Sequence, residues 1–173
     1  MKVLVAYATR LGSTRGIADR IADRLTSRGI NATVAEAQSV DDLRGVDGVV
    51  LGSAVYAGQL LDAAIEFVHR NRESLTVRPV WLFCSGPVGR LGTSFEPTAP
   101  SAIRDLARLL NARDTRVFAG ALDRRTIDRA AFGFGERFIA KRFVPEGDYR
   151  NWDAIDAWAD EIANALPRAT TAA

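Results

Sequence analysis

Between Thr9 and Thr14 the chain runs Thr9-Arg10-Leu11-Gly12-Ser13-Thr14, three hydroxyls and a glycine beside one arginine, with Arg15 directly after. Such a turn can hold an anion if a helix begins there. The first N–H groups of a helix lack helical partners, and its dipole is positive at that end. First turns favour Asp or Glu for the same reason, yet no acidic residue occurs from Met1 to Ala18. Two arginines at a positive helix end are unfavourable unless an anion offsets them, so the pattern predicts a bound phosphate. The plainer alternative is a hydroxyl-rich cap with incidental arginines.

The type of phosphate follows from what the turn lacks. It has no lysine, so it is not a P-loop. It offers only Gly12 and Gly16, so the first two glycines of a dinucleotide fingerprint are missing, although Glu36 stands where an acid would hold a ribose. Tyr7-Ala8-Thr9 has none of the paired acids of a phospho-accepting receiver domain. A hydroxyl-lined turn suits a terminal monophosphate best. Two further loops consist mostly of small residues: Ala54-Val55-Tyr56-Ala57-Gly58 and Ser85-Gly86-Pro87-Val88-Gly89. Small residues let backbone approach a planar ligand closely, and Tyr56 offers an aromatic face for stacking, or else packs at a strand end. A phosphate turn beside two such loops describes a flavin mononucleotide (FMN) site. Its candidate residues are Thr9, Arg10, Leu11, Gly12, Ser13 and Thr14 for the phosphate, with the two small-residue loops for the ring.

No residue is singled out for acid–base, nucleophilic or metal chemistry. The chain has one histidine, His69, in a charged helical stretch, and one cysteine, Cys84, inside an apolar strand. These exclude a disulfide framework and a multi-cysteine zinc site. The chemistry is therefore expected to be carried by a bound cofactor.

The elements that would position these loops alternate along the chain. Apolar strands are expected at Lys2–Tyr7, Asn31–Ala37, Asp47–Ala54, Arg78–Ser85 and Thr115–Leu122. Helices are expected at Ser13–Arg28, Leu61–Arg72, Ala99–Leu110 and Trp152–Leu166. Ile17, Ile21 and Leu25 form the apolar stripe of the first helix, and Gly29 is its left-handed stop. Val49-Val50-Leu51 and Val80-Trp81-Leu82-Phe83-Cys84 are continuous apolar runs, the mark of parallel strands covered on both faces. Right-handed crossovers then give an α/β, doubly wound, five-stranded parallel sheet of order 2-1-3-4-5, with ligands bound beyond the carboxyl ends of the strands.

The 173 residues suit a single domain, 1–173, with 47% hydrophobic and 25% charged residues. No apolar run approaches the roughly 18 residues of a membrane span. The apolar start is too short for a signal peptide, which points to a cytoplasmic protein. Basic residues number 23 against 21 acidic, but they form no block, so nucleic acid is not an expected partner. Residues 124–150 hold seven basic and four acidic residues together with Phe132, Phe134, Phe138 and Phe143. Two readings of this segment stand. A helix over 134–143 could pack its aromatics on the core. Alternatively, a lip could meet an anionic lipid surface at the inner face of the membrane, a quinone, or a porphyrin's carboxylates.

Thr9-x-x-Gly12-x-Thr14, Gly52-Ser53-Ala54-Val55-Tyr56 and the strand rhythm resemble the flavodoxin family over most of the chain. Ala8–Arg15, Ala119-Gly120-Ala121-Leu122, Asp148-x-Arg150 before Trp152, and Glu161-Ile162-Ala163 resemble its menaquinone-dependent protoporphyrinogen dehydrogenase branch. The resemblance implies FMN, with its phosphate on Thr9–Thr14 and its ring between the other two loops. It also implies a porphyrinogen or other small-molecule reductant and a quinone or redox-protein acceptor, in the manner of haem synthesis. A carrier flavodoxin without its own substrate and a flavin-free regulatory module are the competing readings.

Overall fold

The computed structural model describes residues 1–56, 58–86, 99–123 and 146–166. In chain order the elements are β1 (Lys2–Ala8), α1 (Ser13–Ser27), β2 (Asn31–Glu36), a single 3₁₀ turn (Ala37–Ser39), β3 (Gly48–Tyr56), β4 (Gln59–Leu60) and α2 (Asp62–Thr76). They continue with β5 (Val80–Gly86), α3 (Ser101–Leu110), β6 (Asp114–Ala119), β7 (Ala121–Leu122), β8 (Gly147–Asp148) and α4 (Trp152–Ala165). The five long strands are parallel and lie in the order β2-β1-β3-β5-β6, which is the expected 2-1-3-4-5 once the two-residue β4 is set aside.

The apolar runs are continuous because both faces of the sheet are covered. Leu4, Ala6, Val49, Leu51, Val80 and Leu82 face one core, packed with Phe67 and Val68 of α2 and Ile103 and Leu110 of α3. Their sequence neighbours Val3, Val5, Val50, Trp81 and Phe83 face the other, against Ile17, Ile21 and Leu25 of α1 and Ile155, Trp158 and Ile162 of α4. Alternation along each strand sends successive side chains to opposite faces, so the central strands β1, β3 and β5 are apolar at nearly every position, while the edge strands β2 and β6 carry Asn31, Thr33, Glu36, Asp114, Thr115 and Arg116. Gly52 pairs with Phe83 across β3 and β5, and a Cβ on Gly52 would run into the Phe83 ring. That ring also meets Trp158 edge-on at 6.1 Å.

α1 and α4 are held together by repeating polar pairs. Arg20 donates through Nε and Nη2 to both oxygens of Asp156 at 2.6 Å, and Arg24 does the same to Asp160 at 2.9 and 2.7 Å. Arg28 donates to Asn164 at 2.9 Å. Positions 20, 24 and 28 face 156, 160 and 164 because both helices repeat at i, i+4.

Three short elements depart from the expected pattern. β4 folds back antiparallel onto β3, pairing Val55 with Leu60 and Tyr56 with Gln59. The strand expected over Thr115–Leu122 breaks at Gly120. A Cβ there would lie 3.0 Å from the Gly86 carbonyl oxygen and 3.2 Å from Ser13 Oγ, so the chain squeezes past the end of β5 and leaves the sheet. β7 then pairs antiparallel with β8. The expected helix at 134–143 lies outside the described residues. Among the described residues no helix is long and apolar enough to cross a membrane.

Candidate functional site

Strand register brings the candidate loops to one end of the sheet. Ala8 pairs with Ser53, Ser53 with Cys84, Ala54 with Ser85, and Gly86 with Ala119. The turns leaving β1, β3, β5 and β6 are therefore side by side beyond the carboxyl ends.

The β1–α1 turn is built by Gly12, whose φ of +83° only glycine adopts without strain. Its N–H donates to Thr9 Oγ1 at 3.0 Å, and its carbonyl accepts the first helical bond from the Gly16 N–H at 3.1 Å. The N–H groups of Ser13, Thr14 and Arg15 thus precede the helical ladder, and no side chain caps the helix. The two helix-start hydroxyls have different partners. Thr14 is fully buried, and its hydroxyl bonds Ser85 Oγ at 2.8 Å, tying the turn to the end of β5. Thr14 therefore offers an anion its N–H group, while its side chain belongs to the scaffold. Ser13 Oγ accepts the Ala121 N–H at 2.8 Å, which leaves its own proton to donate.

The arginines flanking the turn are placed differently. Arg15 is exposed and lies 3.7 Å from Asp19. Arg10 stands over the Tyr56 ring at 5.1 Å from its centroid, a cation–π contact joining the first loop to the second. Leu11 is half-buried beside Gly12 in the turn.

In the second and third loops, Ala54, Val55 and Ser85 are buried, and Val55 packs in the core under α2. Their side chains hold the loops, while Tyr56, Gly58 and Gly86 present the surface. Ser53 accepts the Leu61 N–H at 3.0 Å and donates to the Ala54 carbonyl at 2.9 Å, fixing the passage from β4 into α2. Gly58 has φ of +78°. Ala57, Pro87, Val88 and Gly89 lie outside the described residues.

Among the described residues, a Cβ built on Gly12, Gly58 or Gly86 would meet no atom within 4 Å. One glycine from each loop thus leaves space at the same end of the sheet. The turn's donors are backbone N–H groups and hydroxyls, with no acid in the first helical turn. That donor set fits a phosphate, and the open small-residue loops fit a flat ring.

The other residues of chemical interest stand apart from the loop cluster or are buried in the sheet. Glu36 accepts from the Tyr7 hydroxyl at 3.4 Å and from Gln38 at 2.9 Å. Burial is the main cause that pushes the Tyr7 phenol above its ordinary value. Cys84 is fully buried, and burial pushes its thiol up to about 12, so it is no nucleophile. His69 is an exposed residue of α2. Among the described residues no group of acids, His and Cys could hold a metal ion.

Arg150, whose surroundings no periodicity foretold, sits on the flank of the turn. It forms a two-pronged pair with Asp148, lies 4.3 Å over Trp152, and presses against Gly16. The Asp148-x-Arg150 spacing before an aromatic residue was the available signal.

Residues 4–141 match the flavodoxin domain family. The chain is 30% identical, over 183 aligned positions, to the protoporphyrinogen IX dehydrogenase [quinone] of Escherichia coli strain K12, with 98% of this chain and 99% of that protein covered. This chain belongs to the flavodoxin-domain family. Family members are flavoproteins that bind FMN, the cofactor expected from the three loops. Solved structures agree on the fold of this flavodoxin-domain protein. Flavodoxin 2 of Bacillus cereus is 22% identical with a TM-score of 0.63, and flavodoxin 1 of the same organism is 18% identical with a TM-score of 0.63. Each comparison covers 96% of this chain and 100% of the other.

Proposed function

We propose that this protein is an FMN-dependent oxidoreductase of the protoporphyrinogen dehydrogenase type, working as one domain over 1–173 and passing electrons from a porphyrinogen to a quinone. The observation that carries the cofactor site is the meeting of three open loops at one sheet end, with an acid-free helix start at their centre. The dehydrogenase reading is supported by 30% identity running nearly the full length of both proteins.

In this reading the Ser13, Thr14 and Arg15 N–H groups, with the hydroxyls of Thr9 and Ser13, bind the phosphate, and Arg10 adds charge at the rim. Tyr56, Gly58 and Gly86 line the ring, with the backbone of Ala54, Val55 and Ser85 behind them and Ala57, Pro87, Val88 and Gly89 completing the loops. Bound FMN supplies the electron-accepting ring. The chain's residues orient it and exclude water from its buried side, and no side chain is needed as acid or base. The protein would work in the cytoplasm, with 124–150 reaching the inner face of the membrane where a quinone resides.

A carrier with no substrate of its own is the second reading. Against it stands the charge, +2 overall with a pI near 9.0, where a carrier docking on basic reductases needs an acidic face. The deciding assay incubates FMN-loaded protein anaerobically with protoporphyrinogen IX, with and without a menaquinone analogue, and follows protoporphyrin fluorescence. Turnover that depends on quinone is expected; no turnover under any condition leaves the carrier.

A further inference from the structure

Ser13 uses one lone pair on the Ala121 N–H, which orients its hydroxyl and strengthens it as a donor. Ala121 belongs to β7, so the hydroxyl depends on where the β7–β8 hairpin sits. The hairpin is held internally by the pairs Ala121–Asp148 and Leu122–Gly147, and the Tyr149 N–H donates to the Gly120 carbonyl at 3.1 Å. Its second strand leads directly into Arg150.

The Arg150 side chain is only 17% exposed and touches three elements. Its Nε and Nη2 donate to the two oxygens of Asp148 at 2.8 and 2.6 Å. Its plane lies 4.3 Å over Trp152, the first residue of α4. Its Nη1 occupies the gap beside Gly16, where any Cβ would overlap it. Gly16 is in the first turn of α1, one helical turn beyond Gly12. Arg150 therefore bolts the hairpin to α1 at the level of the anion turn.

We infer that Arg150 is a positioning residue for the phosphate turn, acting through the hairpin on the Ser13 hydroxyl; the inference rests on the FMN reading above. Arg150 is ion-paired with Asp148 at 2.6 Å, which offsets its charge beside the helix start. Its role is geometric. A lysine would keep the charge but not the planar fork, and so would not substitute.

The test is a titration of FMN and of riboflavin, read by flavin fluorescence, on wild type, Arg150→Lys and Gly16→Ala. Riboflavin lacks the phosphate and does not sense the turn. Both variants should weaken FMN binding about tenfold, on the order of one oriented hydrogen bond. Riboflavin affinity should stay within about twofold. Gly16→Ala separates this from general damage. Alanine is the better helix former, so its unfolding midpoint should hold or rise while FMN affinity falls. Equal losses for the two flavins, or no loss for either, would overturn the inference. Wild type that binds riboflavin and FMN equally, or neither, overturns the phosphate site itself and this role with it.

Discussion

The proposed site depends on single residues suited to backbone shape and donor supply more than to reactivity. Gly12 shows this most plainly. Gly12→Ala forces a Cβ into the left-handed region at roughly 1–2 kcal/mol. It also puts a methyl group into the space left open above the turn. A fall in denaturation free energy of about that size is expected, together with a larger proportional loss of FMN affinity. Unchanged affinity alongside lowered stability would show that the phosphate lies elsewhere. The hydroxyls at the helix start were legible in the sequence as a group but not individually. Nothing in Ser13-Thr14 announces that one hydroxyl is fully buried on Ser85 while its neighbour accepts from Ala121. Those partners come from β5 and β7, 71 and 108 residues away.

At the scale of elements, the apolar packing of α4 beside α1 is rimmed by half-exposed ion pairs that need ionised carboxylates. The guanidinium of Arg20 beside Asp156, and of Arg24 beside Asp160, holds each carboxyl below its ordinary value. A carboxyl whose folded pKa is depressed contributes stability above its unfolded pKa and loses it as pH falls through the folded value. The ladder should therefore hold at neutral pH and weaken below about pH 4. Urea midpoints measured at pH 7 and pH 3 should fall less between those conditions in an Asp156→Asn/Asp160→Asn double variant than in wild type. An equal fall in both proteins would place the acid sensitivity outside this ladder. The five long strands and four helices among the described residues were legible because two-sided burial makes the central strands continuous apolar runs and a glycine or turn separates the elements. The two-residue strands were not, since two residues carry no period. The break at Gly120 was hidden for another reason. Its cause is the closeness of Gly86 and Ser13, a property of the packed sheet and not of the local residues.

For the whole molecule, the doubly wound sheet divides the labour. Two apolar layers fix the strands, and their carboxyl ends gather loops from residues as distant in sequence as Thr9 and Gly120. The pattern of strands, the acid-free turn and the small-residue loops were enough to expect FMN, because each feature is set by local residue types. The contact by which Arg150 meets α1 was not expected, because it brings Arg150 to Gly16 from a distant part of the sequence. The central claim is that FMN sits on this loop cluster with its phosphate at the start of α1. The most direct measurement is the visible spectrum of the purified protein after incubation with FMN and gel filtration, for wild type and for Gly12→Ala. The account predicts flavin bands that travel with wild type and are lost or much reduced in the variant. A wild-type protein that emerges colourless would contradict it.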